Sequence, residues 1–582
     1  MLEETAARGG EAAALHQPFM EGGERRYRHF TWNQFRDAAR EVAAGLRANG
    51  IQHGDIVSIA SETRAELYIA DFAIMAAGAV SAALYVSYPA AHLVATLRLC
   101  QAKAVFVEDA RMLRKLQAAA DPSLAVRWFL LNGQAEGATT MEDLREAGRR
   151  ALARDPELWP RMCDEIHPED PAILYLTSGA TGEPKMALAS HQALLANADM
   201  GPEVLSLGPQ DSTIAFLPSA HITQRVVLEL IAIRLAVPIW FSESLMRLPQ
   251  ELLTLRPTVF VAPPRLWERI YKTICTEIGK RSAFTRNLFY GALGLGLKAS
   301  ELRRAGKPVP RWMRNALKIA ERLVYRKLRA RFGGRVVFAG SGAAPLGADL
   351  ARFYLAIGFP LHEGYGLTEG GVVVLNPEGN SKPGSIGKTL PGVQLKLAED
   401  GELLVKSPTV FLGYFQASEA TAAVLQDGWL HTGDVAAFDP DGYVRITGRK
   451  KEMVVTSSGR KVYPARIEDL FKTEPLISHV FLFGDRLPYP AALFTINPAA
   501  APSKPEQLAA EVRRAVARVN DRLPPFEKIH KYRILDRDFT IEEGELTPTL
   551  KLRRAQILEN HQALIAEFYR DRESGGLGEG ET

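Results

Sequence analysis

Tyr175-Leu-Thr-Ser-Gly-Ala-Thr-Gly-Glu-Pro-Lys185 decides the reading of this chain. It places small, hydroxylated and glycine residues between an apolar run, Ala172 to Leu176, and a lysine. That order predicts a strand running into a loop whose backbone amides and hydroxyls wrap a polyphosphate. Glycine lets the backbone approach an anion closely, Thr and Ser add donors, and Lys185 adds a positive charge. The Walker order G-x-x-x-x-G-K-[ST] is absent. A Ser/Thr/Gly-rich loop is by itself more often just a loop, so the reading depends on matching parts downstream.

The 582 residues are too many for one small core, and two or more domains are expected. With 47% hydrophobic and 24% charged residues the composition is that of an ordinary globular protein. A formal charge of +4 gives no whole-protein case for nucleic acid binding. Cys100, Cys163 and Cys275 are widely spaced, form neither a disulfide framework nor a zinc pattern, and point to a reducing cytoplasm. The acidic N-terminus, Met1-Leu-Glu-Glu-Thr, has no secretory-signal character. The longest mostly apolar run, Phe72 to Val86, is short of the roughly 18–20 residues of a membrane span, and Gly78 divides it into a buried helix and a strand.

Thr31 with Gln34 spells a capping box, Phe35, Ala38, Val42 and Leu46 share one helical face, and Gly50 supplies the stop. Strands are expected at 55–60, 104–107, 259–262 and 336–339, each beside a helical pattern. Repeated helix–strand units argue for mostly parallel sheets covered by helices, with ligands in crevices beyond the strand ends. Between Gly401 and Thr447 short strands alternate with Asp-Gly turns, a β-rich texture. The expected fold class is therefore α/β. A large N-terminal domain, 1–448, has layered, mostly parallel sheets with helices and a β-rich subdomain at about 395–447. A small mobile α+β C-terminal domain follows at 449–572, and a Gly/Glu-rich tail, 573–582, reads as disordered. From Lys280 to Arg335, sixteen Lys or Arg stand against two acids, a local charge of +14. Two readings stay open: a solvated helical surface, or a basic face held against an anionic membrane.

Downstream of the loop, further segments appear in order: Pro218-Ser-Ala-His221, Ser341-Gly-Ala-Ala-Pro345, His362-Glu-Gly-Tyr-Gly-Leu-Thr-Glu369, Gly428-Trp-Leu-His-Thr-Gly-Asp434, Gly448-Arg449 and Leu546-Thr-Pro-Thr-Leu-Lys551. From about residue 27 to 565 the chain resembles the adenylate-forming superfamily of acyl-CoA synthetases, adenylation domains and luciferases. The Leu546–Lys551 ending and the segment Arg256-Pro-Thr-Val-Phe to Arg265-Leu-Trp-Glu-Arg-Ile-Tyr resemble its long-chain fatty acyl-CoA synthetase branch.

The resemblance implies a ligase that uses ATP, Mg²⁺ and CoA to activate a long-chain fatty acid, first as acyl-AMP and then as acyl-CoA. Two anions must meet while pyrophosphate leaves, so catalysis is mostly positioning and charge neutralisation. Thr177, Ser178, Gly179, Thr181, Gly182 and Lys185 would hold the departing phosphates. Glu369 would hold Mg²⁺, with Thr368 beside the α-phosphate; a helix N-cap is the structural alternative for this pair. Tyr365 and Gly366, with the backbone around Ala343 and Glu363, would frame the adenine. Asp434 would accept both ribose hydroxyls rather than serve a turn, and Arg449 would reach the ribose–phosphate side. His221 and Gly364 would wall the substrate pocket, with no base needed because the carboxylate is already ionised. Lys551 would enter the site for adenylation and leave when the small domain turns about Lys451.

Three positions depart from the pattern. Ala180 replaces a hydroxyl residue, Met186 stands where glycine is usual, and Ser457-Ser458-Gly459 replaces Ser-Gly-Gly beside the expected CoA channel. A fatty acyl-AMP ligase loading a carrier protein, and a decayed non-catalytic acyl-adenylate or fatty-acid binding protein, are therefore the rival readings. A luciferase-type activity has no residue in its favour.

Overall fold

The capping box expected at the first helix is formed. Thr31 Oγ1 accepts from the Gln34 amide at 3.1 Å, and Gln34 Oε1 accepts from the Thr31 amide at 2.9 Å. The helix Trp32–Ala48 then buries Phe35, Ala38, Val42 and Leu46 on one face. The apolar run beyond it divides as read, into a buried helix, Ala65–Ala76, and a strand, Val80–Ala83. A computed structural model describes residues 1–121, 123–177 and 185–573, and the fold is stated for these.

Two large sheets form the body of the molecule. In an eight-stranded sheet, Pro171–Thr177, Val80–Ala83, Ile56–Ala60, Ala104–Val107, Arg127–Leu130 and Thr139–Thr140 run parallel. Lys185–Ser190 and Gly413–Tyr414 extend it antiparallel. A nine-stranded sheet is parallel through its centre and antiparallel at both flanks, passing on one side through the hairpin Leu361–Leu367 and Gly371–Leu375 to the edge strand Lys388–Thr389. The central strands are buried on both faces, as parallel strands between helix layers must be.

A five-stranded antiparallel sheet occupies Gln394 to Arg449. Its last strand, Val444–Arg449, runs through the boundary expected at 448. Beyond it, Ile477–Phe483, Ala491–Ile496 and Lys531–Ile534 form a three-stranded sheet packed with the helix Pro505–Asn520. The helix Gln562–Glu573 takes in the first residue of the segment read as a disordered tail, and 574–582 lie outside the described residues. The strand expected at 336–339 is found two residues later, Phe338–Ser341, because Gly340 and Ser341 continue the parallel pairing with His362 and Glu363.

The basic segment folds as the helices Ala283–Arg304 and Arg311–Ala320 with a continuing helical turn. Phe289, Ala292, Gly296 and Ala299 face inward, which turns the cations outward.

Candidate functional site

The segment expected to follow a strand, His362 to Glu369, is largely a strand itself, and Thr368 and Glu369 form the hairpin turn beyond it. They are not a helix N-cap, because the Leu367↔Gly371 pairing closes a β-turn around them. Gly366 is required there: a Cβ on it would lie 2.4 Å from the Gly371 carbonyl oxygen. Glu369 Oε1 accepts from the Tyr414 hydroxyl at 2.7 Å. Lys185 Nζ stands 4.8 Å from the centroid of the same tyrosine ring, a cation–π contact. Tyr414 thus joins the metal candidate to the phosphate-loop lysine, a role its local sequence does not announce.

Asp434 lies inside the strand Trp429–Phe438, opposite Arg449, rather than in a turn. Arg449 Nε donates to Asp434 Oδ1 at 2.8 Å, and the Tyr365 hydroxyl donates to Oδ2 at 2.7 Å. The carboxylate is buried, so these charge-assisted bonds fix its orientation. Just before Arg449, Gly448 packs so closely that a Cβ would lie 2.1 Å from the Tyr463 ring of the small domain.

Lys551 arrives from the small domain on a tight loop. The Thr547 amide donates to the Lys551 carbonyl at 2.8 Å, the Lys551 amide donates to Thr547 Oγ1 at 3.0 Å, and Leu550 is left-handed at φ 62°. Burial, and then the charge of Arg449, bring the ammonium down to about 8, with Asp434 and Glu452 opposing. His221 is held neutral across the gap, because burial and then the Lys551 charge push its imidazole down to about 3. Its Nδ1 accepts from the Thr223 amide at 3.2 Å. A neutral imidazole beside a lysine suits a wall, not a base.

Ala343 is left-handed at φ 70° in the turn after Phe338–Ser341. Glu363 Oε1 accepts from the Leu346 amide at 2.8 Å and so braces that turn, while burial raises its carboxyl to about 7. Its carbonyl accepts from the Asn376 amide at 2.9 Å and from Asn376 Nδ2 at 3.1 Å.

Lys185, His221, Ala343, Glu363, Gly364, Tyr365, Gly366, Thr368, Glu369, Asp434, Arg449, Lys451 and Lys551 all line one open cavity of about 2960 Å³ between the two domains. Lys451 is exposed in the turn Lys450–Glu452 that joins them. Thr177 ends its strand opposite Lys185. Ser178, Gly179, Ala180, Thr181 and Gly182 lie outside the described residues. Ser458 and Gly459 are not brought to the cavity; they sit in the exposed turn between Val454–Val455 and Lys461–Val462. Met186 pairs with Leu176 and packs against the apolar cluster of the first sheet.

The model of the AMP-binding enzyme family matches residues 2–415, and that of the AMP-binding enzyme C-terminal domain matches residues 451–573. The chain is 37% identical over 555 residues to the long-chain-fatty-acid–CoA ligase FadD15 of Mycobacterium bovis, covering 91% of this chain and 90% of that protein. It is 28% identical over 587 residues to the peroxisomal long chain acyl-CoA synthetase 7 of Arabidopsis thaliana, covering 93% and 82%. The crystal structure of the adenylation domain of a carboxylate reductase from Mycobacterium chelonae superposes with a TM-score of 0.76 at 22% identity, covering 98% and 90%, a likeness of fold.

Proposed function

The chain belongs to the AMP-binding enzyme family, and on that footing we propose that it is an ATP-dependent long-chain fatty acid–CoA ligase. The observation that carries this reading is the meeting of Lys551 from the small domain with Asp434, Arg449, Tyr365 and Glu369 of the large domain in one cavity. In the first step a fatty acid carboxylate oxygen attacks the α-phosphorus of ATP and pyrophosphate leaves. In the second, the CoA thiolate attacks the acyl carbon and AMP leaves.

Asp434 accepts from the ribose hydroxyls on lone pairs left over from Arg449 and Tyr365, since a carboxylate offers about four acceptor sites. Tyr365, Gly366 and the turn at Ala343 frame the adenine. Lys185 and the loop before it take the departing phosphates, Thr368 bonds the α-phosphate, and Lys551 neutralises charge gathering there. His221 and Gly364 wall the acyl carboxylate. Among the described residues no group of three or more His, Cys, Asp or Glu is arranged to hold a metal. One carboxylate oriented by Tyr414 fits Mg²⁺, which takes few protein ligands and shares phosphate oxygens. Glu369 would hold the ion, which would draw charge off the phosphates.

For the acceptor we favour free CoA. Gly459, at φ 75°, fills the left-handed position of its turn, and Ser458 Oγ is 3.0 Å from Thr456 Oγ1, so the added hydroxyl is engaged within the turn. The small domain turns about Lys451 between the half-reactions. No helix among the described residues is long and apolar enough to cross a membrane. The enzyme is proposed to work in the cytoplasm and to touch anionic membrane through 280–335. ATP–pyrophosphate exchange measured over fatty acids of graded length, followed by CoA consumption, tests the reading. Exchange with long-chain acids and stoichiometric loss of free thiol are expected; exchange with none of them would overturn it, and exchange without CoA use would point to a carrier protein.

A further inference from the structure

The pose that puts Lys551 into the cavity is held by several contacts of the large domain, among them Lys472 on the Pro345 carbonyl and Arg522 with Asp349, and most densely by one helix. The helix Pro264–Gly279 is seated by Trp267, whose Nε1 donates to the Ala262 carbonyl at 3.1 Å and whose own carbonyl accepts from the Tyr354 hydroxyl at 2.7 Å. Arg265, Glu268 and Lys272 recur at helical spacing on the face turned to the small domain. Arg265 Nη1 donates to the Ser478 carbonyl at 2.7 Å, and Nη2 lies 3.2 Å from His479 Nδ1. Lys272 Nζ donates to the Ile477 carbonyl at 2.5 Å. Glu268, buried between them, accepts from Arg265 at 2.7 Å and from Lys272 at 2.5 Å.

Both cations therefore grip main-chain carbonyls at the start of the strand Ile477–Phe483. A cation at a helix N-terminus opposes the helix dipole, and the ion pair with Glu268, three residues on, offsets that cost for Arg265. The far end of the gripped strand carries the Lys551 loop. Phe481 and Phe483 pack in one cluster with Leu546 and Ile557, which bracket that loop, and Arg554 donates to the Leu482 carbonyl. The path from the helix to the lysine is thus one strand and its packed neighbours.

We infer that Arg265 and Lys272, set by Glu268, are positioning residues that latch the small domain in the pose delivering Lys551. The inference rests on the proposed role of Lys551 in the first half-reaction. Release of the two carbonyls frees the domain to turn for thioester formation, so loss of the latch disfavours one half-reaction only.

The full-length Arg265→Ala and Lys272→Met variants test this in two assays, ATP–pyrophosphate exchange and CoA transfer from supplied acyl-AMP. Exchange is expected to fall at least tenfold while transfer stays at or above the wild-type rate, with Arg265→Lys restoring part of the exchange. Trypsin cleavage after Lys450 or Lys451 is expected to quicken, since the hinge spends longer open. If Arg265→Ala lowers thermal stability, Arg265→Gln, which keeps a donor and the aliphatic stem, is scored in its place. Exchange within twofold of wild type, or equal loss in both assays at unchanged stability, overturns the latch. Lys551→Ala separates the two ideas: if it leaves exchange intact, the reading of Lys551 fails, whereas crippled exchange in Lys551→Ala beside normal exchange in the latch variants sinks the latch alone.

Discussion

Lys551 sits in the cavity close to its own titration point, and that gives it a pH signature. Burial, followed by Arg449, lowers it to about 8, so the free enzyme loses this cation as pH rises through about 8. We expect kcat/KM for ATP in the exchange reaction to fall about tenfold per unit above that pH. The limb should vanish, with a much lower rate, in Lys551→Ala, and should be absent from CoA transfer. An alkaline limb that persists in the variant would assign it to another group. Glu369→Gln keeps the shape of the side chain and its bond from Tyr414 but removes the charge; exchange should drop at least roughly tenfold and recover partly with added Mg²⁺. Unchanged kinetics across a Mg²⁺ titration would leave Thr368-Glu369 as a hairpin tip only. Asp434, Glu369 and Lys551 were legible in the sequence because each belongs to a short contiguous pattern. Tyr414 was not. Its place comes from pairing with Ala187, distant in the chain, and no local pattern encodes that register.

Among the elements, the π-helical segment Gln224–Ile231 that follows His221 carries the least expected chemistry. Arg225 is ion-paired with Asp71 of the helix Ala65–Ala76, and its Nη2 donates to Ser81 Oγ at 2.9 Å; both charged side chains are fully buried. Neither Oε atom of Glu229, one turn on, has a hydrogen-bond partner among the described residues, and burial raises its carboxyl to about 8. A raised carboxyl holds its proton in the folded chain while the unfolded chain releases it, so its contribution to stability is lost as pH rises through the folded value. Wild type should therefore lose thermal stability between about pH 5 and pH 8 relative to Glu229→Gln, which cannot titrate. Parallel melting-temperature profiles for the two proteins would refute the buried neutral acid. Removing Asp71 instead, as Asp71→Ala, strands the guanidinium and should cost about 3–5 kcal/mol, seen as earlier thermal unfolding. The sequence displayed the helix Trp32–Ala48 clearly, because its capping box and its apolar periodicity agree. It hid the Arg225 cluster, since charged residues in an otherwise apolar helix read as an outer face until the two sheets are seen to close over them.

At the scale of the whole molecule the two-domain plan was readable from length and the change to β texture, whereas the relation of the domains was not. Contacts such as Arg265 with Ser478 join residues far apart in the chain and depend on how complete surfaces meet. The same limit applied to the basic segment, where counting charges left a solvated face and a membrane face equal. The fold adds the observation on which the membrane proposal rests. Trp312, Ile319 and Leu323, spaced seven and four residues apart on one continuous helical stretch, are 65%, 60% and 42% exposed. Arg311, Lys318 and Arg322 lie along one side of this apolar stripe, with Arg314 further round the helix. Among the described residues the segment's ion pairs are Lys298–Glu301, Arg329–Glu321 and Arg331–Glu277, none of which neutralises the cations beside the stripe. An exposed tryptophan and aliphatic stripe bordered by bases is the pattern of a helix lying at a bilayer surface, and a simply solvated face has no need of the stripe. Each base near an anionic surface contributes about 1 kcal/mol, screened by salt. We therefore expect sedimentation with vesicles containing anionic lipid, little with neutral vesicles, and release at high ionic strength. Trp312→Ala should weaken binding at every salt concentration, whereas Arg314→Glu combined with Lys318→Glu should abolish it at low salt. Neither change should slow turnover of a short, freely soluble fatty acid, because the stripe lies outside the cavity. Equal sedimentation with anionic and neutral vesicles at low salt would return the segment to an ordinary solvated surface.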